Sequence, residues 1–153
     1  MKTLKLGILS LALLTALNLG IATHEISKTQ AAKASEISCL AKNIYMEARG
    51  ESIQGQIAVA QVTLNRVRSG KFQGSVCGVV YAHKQFSWTN KKTSQIKDSK
   101  AWQVSNEIAR AVLTNSVPLP AFKALYFHTR QVNPRWNRNK QIVARIGNHI
   151  FYS

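Results

Sequence analysis

The sequence predicts one α+β domain, mainly α, with a small antiparallel β element near its C-terminus. Three observations support this. Apolar residues recur at helical spacing in three stretches between residues 37 and 113. Glycines and prolines punctuate the gaps between those stretches. Two short β-favouring runs, residues 124–128 and 149–152, lie near the end of the chain. With 153 residues, 45% of them apolar, the chain can fill one core and is too short for a multidomain assembly. It contains no internal repeat.

Residues 1–22 read as an export segment. Lys2 and Lys5 give a basic start, residues 6–22 run apolar without a charge, and Gly20-Ile21-Ala22 supplies small residues for cleavage. The run is slightly long for a signal core and short for a membrane span, and Gly7, Ser10, Thr15 and Asn18 weaken it. A retained or releasable anchor and a buried helix therefore stay open beside cleavage. Residues 23–36 are polar, carry a second small-residue triplet, Ala32-Lys33-Ala34, and read as a spacer. The folded domain is expected over 37–153. In its first helix Ile37, Leu40, Ala41, Ile44 and Ala48 share one face, with Ser35 as N-cap and Gly50 as the stop. A second helix over 52–68 carries Ile57, Ala60, Leu64 and Val67, and Ala58, Val59 and Val62 widen its apolar face, so it is expected to be mostly buried. Gly70, Gly74 and Gly78 mark 69–78 as loop. Next come a short apolar piece, Val79-Val80-Tyr81, and a polar loop holding Gln85-Phe86-Ser87-Trp88-Thr89. Asp98 caps a third helix whose inner stripe is Ala101, Trp102, Ser105, Ile108, Ala109, Val112 and Leu113, ending before Pro118. The two β runs then flank a basic loop containing Trp136 and are expected to pair antiparallel.

Lys and Arg number 21 against 6 Asp and Glu, a formal charge of +15. Only Lys2 and Lys5 belong to the export segment, so the excess belongs to the domain. Such a balance implies a polyanionic partner. Export points to an anionic cell envelope rather than nucleic acid, and to the periplasm, the wall or the medium as location. Cys39 and Cys77 are the only cysteines. In an oxidising compartment the pair invites a disulfide, with two buried free thiols as the alternative. Neither has the closely spaced second ligand that zinc frameworks use, so no metal and no cofactor are expected.

Acids are scarce. Glu25 and Glu36 fall in the spacer or at its edge, which leaves Glu47, Glu51, Asp98 and Glu107 for the domain. Asp98 reads as a cap and Glu107 as a solvated side chain. Glu47 differs, because it follows Leu40 by seven and Ile44 by three and so extends the apolar stripe of the first helix. It also lies in the last turn, where the helix dipole disfavours a carboxylate. Desolvation acts in the same direction, and both raise its pKa. An acid held protonated near neutral pH suits glycosidic cleavage, since the leaving oxygen must gain a proton. A helix-end ion pair with Arg49 is the alternative that spacing leaves open.

Several ordered blocks carry a resemblance. Cys39-Leu40-Ala41, Ile44-Tyr45-Met46-Glu47-Ala48-Arg49-Gly50-Glu51, Gly55-Gln56-Ile57-Ala58-Val59-Ala60 and Leu64-Asn65-Arg66-Val67 are followed by Val76-Cys77-Gly78-Val79-Val80-Tyr81 and Gln85-Phe86-Ser87-Trp88. Ala124-Leu125-Tyr126-Phe127-His128 and Ile146-Gly147-Asn148-His149-Ile150-Phe151-Tyr152 complete the series. Together, over residues 39–152, they resemble the SleB/CwlJ cell wall hydrolase family, typified by spore cortex-lytic enzymes. The resemblance implies a compact monomeric domain similar to lytic transglycosylases and goose-type lysozymes, acting on the glycan strands of peptidoglycan. Glu47, the first Glu of the family's E-A-R-G-E block, then corresponds to the catalytic acid. In a lytic transglycosylase one carboxylate suffices: it protonates the bond between N-acetylmuramic acid and N-acetylglucosamine, then takes the proton of the muramyl C6 hydroxyl, leaving a 1,6-anhydro end. A hydrolytic muramidase wants a second carboxylate about 5 to 9.5 Å away. Glu51, just past Gly50, is poorly placed to flank the opposite face of a sugar, so the scarcity of acids favours transglycosylation.

For substrate binding the candidates are Glu51, Asn65, Gln85, Ser87, Thr89 and Tyr126 as hydrogen-bonding groups, with Trp88 or Trp136 stacking on a pyranose. Rival structural readings stand beside them. Glu51 is also read as orienting Arg49 or the loop backbone, Asn65 as capping a buried helix end, Phe86 and Trp102 as core, and His128 and His149 as structural. After Trp88-Thr89, relatives commonly carry Cys-Asp-Gly where this chain has Asn90-Lys91-Lys92, which removes an acid and a third cysteine from this loop. The competing functions are a hydrolytic muramidase, an N-acetylmuramoyl-L-alanine amidase, and a noncatalytic cationic envelope binder. An uncleaved, weakly apolar N-terminus would suit a phage endolysin that is released from the membrane.

Overall fold

The computed structural model describes residues 6–89 and 94–153, with side chains from residue 25 onward. Residues 1–5 of the export segment, the side chains of 6–24 and the Asn90-Lys91-Lys92 departure lie outside the described residues. The chain divides into two units, Met1–Ala34 and Ser35–Ser153. Helix α1 runs Leu6–Ala48. In the first unit its described side chains are exposed and make one surface ion pair, Lys28–Glu25 at 3.5 Å. Among the described residues no helix is long and apolar enough to cross a membrane.

Ser35 is a mid-helix residue and not the expected N-cap. Between Gly20 and Gly50 the chain has no glycine or proline, and the spacer's Ala, Gln and Lys residues favour helix, so nothing interrupts α1 at 23–36. Helix α2, Ile53–Ser69, starts where Gly55 N donates to the Ser52 hydroxyl at 3.2 Å and ends at Gly70, whose φ of 67° suits glycine. Helix α3, Val76–Tyr81, occupies part of what the glycines marked as loop. Two side chains outweigh the low propensity of Gly78. The Ser75 hydroxyl accepts from Gly78 N at 3.0 Å, and the Glu36 carboxylate on α1 accepts from Val76 N at 2.6 Å and Cys77 N at 3.3 Å. Glu36 is therefore a working residue of the domain and not part of an idle spacer edge. Beside it, Cys39 and Cys77 form a disulfide. Helix α4, Ser99–Leu113, is capped as expected by Asp98, which accepts from Ala101 N at 2.9 Å.

Helix α2 is buried on two sides. Ala60 and Leu64 pack with Leu40, Ile44, Val80 and Val112 among the other helices, while Ala58, Val59 and Val62 pack with Ala48, Ala124 and Phe151 beneath the sheet. Trp102 is half-buried at the edge of the helical core, edge-on to Tyr45. The Tyr45 hydroxyl in turn accepts from Lys97 N and Asp98 N, both at 3.1 Å, tying α1 to the start of α4.

The expected antiparallel pair is present within a sheet of three strands. Strands β1 (Tyr126–Thr129), β2 (Ile142–Ile146) and β3 (His149–Tyr152) lie in the order β1-β3-β2. Tyr126 faces Tyr152 and Phe127 faces Phe151 across the pair. Strand β2 is an edge strand with Ile142 and Val143 exposed, so it shows no clean apolar alternation to read. Gly147, at φ 57°, and Asn148 make the two-residue turn into β3. A 3-10 helix, Arg135–Asn139, sits between β1 and β2.

Candidate active site

The stripe that carries Leu40 and Ile44 into the core also carries Glu47, one turn later, to a cavity of about 330 Å³. Arg66 of α2, Gln85 and Ser87 of the loop after α3, Tyr126 of β1 and Trp136 of the 3-10 helix line the same cavity. Lys84, also in the wall, adopts φ 59°, an uncommon conformation for a lysine, and leads into Gln85.

Glu47 is half-buried, and the Trp88 indole N–H donates to its Oε1 at 2.7 Å. Burial pushes the carboxyl above its ordinary value of 4.5; the Trp88 hydrogen bond and the Arg66 charge pull it down without cancelling the rise. Arg66 is only 4% exposed. Its Nε donates to Leu125 O at 2.7 Å, and its guanidinium lies 5.3 Å from the Phe72 ring centre and 5.5 Å from that of Phe86. Burial lowers its pKa to about 10, against the opposing pull of Tyr126 and Glu47, so it remains a cation at neutral pH. Its Nη1 has no acceptor among the described residues. A carboxyl inclined to hold its proton thus sits beside a fixed positive charge that favours the carboxylate once the proton has gone. Among the described residues no second acid lines this cavity.

The Glu47–Arg49 ion pair is not formed. Arg49 packs 5.0 Å over the Tyr45 ring and donates to Tyr45 O at 3.2 Å. Trp88 is 6% exposed and stacked on Phe86, so it holds Glu47 and offers no face to a sugar. Trp136, at 41% exposure, keeps part of its ring open although it packs with Tyr126, His128 and Tyr152 at 5.6 to 5.7 Å.

Gln85, Ser87 and Tyr126 share the cavity with Glu47; Asn65 and Thr89 stand elsewhere, and Glu51 lies outside this cavity but lines another, at the end of α1, together with Glu47. Asn65 donates to Phe122 O at 3.2 Å and Ala124 O at 3.0 Å, fastening the approach to β1 onto α2. Thr89 closes a turn through its hydroxyl to Phe86 O at 2.8 Å. Glu51 accepts from Asn148 N at 3.1 Å and Asn148 Nδ2 at 3.0 Å, so it orients the β2–β3 turn and not Arg49. That contact is close: a Cβ on Gly147 would lie 1.9 Å from the Glu51 carboxylate. His149 is buried 3.9 Å from Glu51, and burial lowers its pKa. His128 Nε2 lies 2.7 Å from the Tyr152 hydroxyl. Arg66 was missing from the sequence candidates although a signal existed. It follows Val59 by seven and Val62 by four, the spacing that singled out Glu47.

Residues 50–152 match the family described as Cell Wall Hydrolase, a span that begins just after Glu47. The chain is 31% identical over 132 residues to the spore cortex-lytic enzyme of Oceanobacillus iheyensis, covering 84% of this chain and 45% of that protein. It is 34% identical over 120 residues to the spore cortex-lytic enzyme of Bacillus subtilis, covering 76% of this chain and 37% of that one. The chain thus spans less than half the length of these curated relatives. Among solved structures it is similar to the catalytic domain of the Bacillus cereus SleB protein, with a TM-score of 0.60 and 28% identity over 77% of this chain and 89% of that one. It is also similar to the catalytic domain of the germination-specific lytic transglycosylase SleB from Bacillus anthracis, with a TM-score of 0.63 and 27% identity over 77% and 93%.

Proposed function

Because the chain belongs to the cell wall hydrolase family, we propose that its Glu47 cavity cleaves peptidoglycan between N-acetylmuramic acid and N-acetylglucosamine, as a lytic transglycosylase. One observation carries this reading: a desolvated carboxyl faces a sugar-sized cavity beside a buried cation, with no second acid in the lining. Glu47 gives its proton to the glycosidic oxygen as the bond to the muramyl C1 breaks. The muramyl C6 hydroxyl then closes onto C1 and its proton returns to Glu47, so no water is consumed and the enzyme is restored. Arg66 stabilises the carboxylate between the two transfers. Trp136 stacks on a pyranose face, and Gln85 and Ser87 bond its polar groups. The disulfide supports an exported enzyme in an oxidising compartment, and the +15 charge supports adhesion to an anionic envelope. The same proposal includes a monomeric enzyme of the periplasm, wall or medium, a phage endolysin among the possible forms.

Digested peptidoglycan analysed by mass spectrometry should show 1,6-anhydro-muramyl ends. Reducing muramyl ends would mean hydrolysis, and freed stem peptides would mean amidase action. Salt should slow the clearing of whole walls several-fold between about 0.05 and 0.5 M, as the Debye length shrinks. Cleavage of short soluble glycans should change far less over that range.

Trp88→Phe keeps the stacked ring but removes the donor to Glu47. That donor favours the carboxylate, so its loss raises the Glu47 pKa further. The alkaline limb of the kcat/KM profile should move to higher pH, with a fall of about tenfold at the optimum for the lost charged hydrogen bond. A limb that stays in place would detach Trp88 from the acid.

A further inference from the structure

Residues 125 and 126 separate the Glu47 cavity from a second one, of about 680 Å³, that the proposed reaction leaves unused. Leu125 lines the second cavity and Tyr126 the first; on α2, Asn65 lines the second and Arg66 the first. The partition is pinned by Arg66 Nε on Leu125 O at 2.7 Å and Asn65 Nδ2 on Ala124 O at 3.0 Å. The backbone around residues 124–126, held to α2 by these two bonds, thus lies between two neighbouring sites.

Their chemistry differs. Pro120, Phe122 and Leu125 give the second cavity an apolar lining, and Arg68 and Lys123 stand exposed at it with no acid among its lining residues. Gln61, only 5% exposed, lines it as well. Its Nε2 donates to Asn65 Oδ1 at 2.8 Å, while its buried Oε1 has no donor among the described residues. A matching ligand has small apolar groups, a carboxylate and an N–H. A neutral glycan lacks the carboxylate and the apolar side chains; a short acidic peptide has all three.

We infer that this cavity binds the peptide stem of the polymer whose glycan occupies the Glu47 cavity, a short chain of alanines and free carboxylates branching from the muramyl unit. The inference rests on the peptidoglycan reading of Glu47. An extended peptide advances about 3.3 Å per residue, so a stem of three to five residues reaches across one strand. Methyl groups then lie on Phe122 and Leu125, a carboxylate meets Arg68 and Lys123, and a peptide N–H is the donor that Gln61 lacks. Muramyl units that carry stems are preferred over bare ones.

Two measurements test this. In the first, the full chain and its R68E/K123E variant are assayed on glycan strands with stems and on strands stripped of them. KM on stem-bearing strands should rise about fivefold or more in the variant, with kcat unchanged and no effect on stripped strands. A K100E/R110E variant, with the same charge change on exposed α4 positions, should not discriminate between the two substrates. Equal losses on both substrates, or no loss on either, would overturn the stem site. In the second, free L-alanyl-γ-D-glutamyl-L-lysine is titrated into the full-length Glu47→Gln protein. The amides of Arg68, Phe122 and Lys123 should shift saturably, and no shift at about 5 mM, where even a weak site fills, would overturn it. If the wild type cleaves no glycan at all, the Glu47 reading fails and the titration alone decides the stem site.

Discussion

Glu47→Gln should lower the rate of wall lysis about a thousandfold or more, the scale of a lost general acid that also serves as base. The substitution keeps shape, and the Trp88 N–H still has an oxygen to meet, so the fold should survive. Stability adds a signed check. The folded Glu47 has a raised pKa, so as pH climbs past the ordinary value of 4.5 the unfolded chain releases its proton first and the wild type loses stability until the raised value is passed. Glutamine does not titrate. The melting temperature of the variant relative to the wild type should therefore rise through that window and then level off. Turbidity clearing and thermal melts across pH measure both effects. Lysis that survives the substitution would sink the single-acid mechanism and leave a charge-driven envelope binder as the better reading.

The second large effect falls on stability. Replacing both Cys39 and Cys77 by Ser opens a bridge between residues 38 apart in sequence. On the chain-entropy account this costs about 4 kcal/mol, and for a domain of this size a fall of about 10 to 15 °C in melting temperature. The bridge lies beside the Glu36 bonds to Val76 N and Cys77 N, so loosening should begin where α3 meets α1. The loop bearing Gln85, Ser87 and Trp88 follows α3 directly, so the variant should also lose activity before it melts. A shift below about 3 °C would show that packing of Val76, Val79 and Val80 holds this corner without the bridge.

Helices α2 and α4 and the apolar face at the end of α1 were legible because their signals are local. The cap at Asp98 and the stripes through Leu40, Ala60 and Ile108 need only neighbouring residues to be read. What stayed hidden depends on partners distant in sequence. Glu36 looks idle until α3 folds against it, and α3 looks like loop until Glu36 caps it. Strand β2 has weak apolar alternation because it lies at an edge, although Gly147-Asn148 between Ile142-Val143-Ala144-Arg145-Ile146 and His149-Ile150-Phe151-Tyr152 was a readable hairpin signal. Within the site, Glu47 stood out as an acid on an apolar stripe. By the same logic Arg66 was readable as a base on one, but lysines and arginines are so common in this chain that one more drew no notice. Trp88 shows the limit of residue type as a guide: an aromatic in a polar loop suggests a sugar platform, yet its ring is buried on Phe86 and only its N–H reaches the site.

The central claim is that Glu47 alone serves both proton transfers and that water takes no part. Digesting peptidoglycan in heavy-oxygen water and weighing the new muramyl ends tests it most directly. The single-acid mechanism predicts anhydro ends carrying no label, because their closing oxygen comes from the sugar's own C6 hydroxyl. Reducing ends labelled at C1 would contradict it, because water would then have reached C1 in place of the C6 hydroxyl.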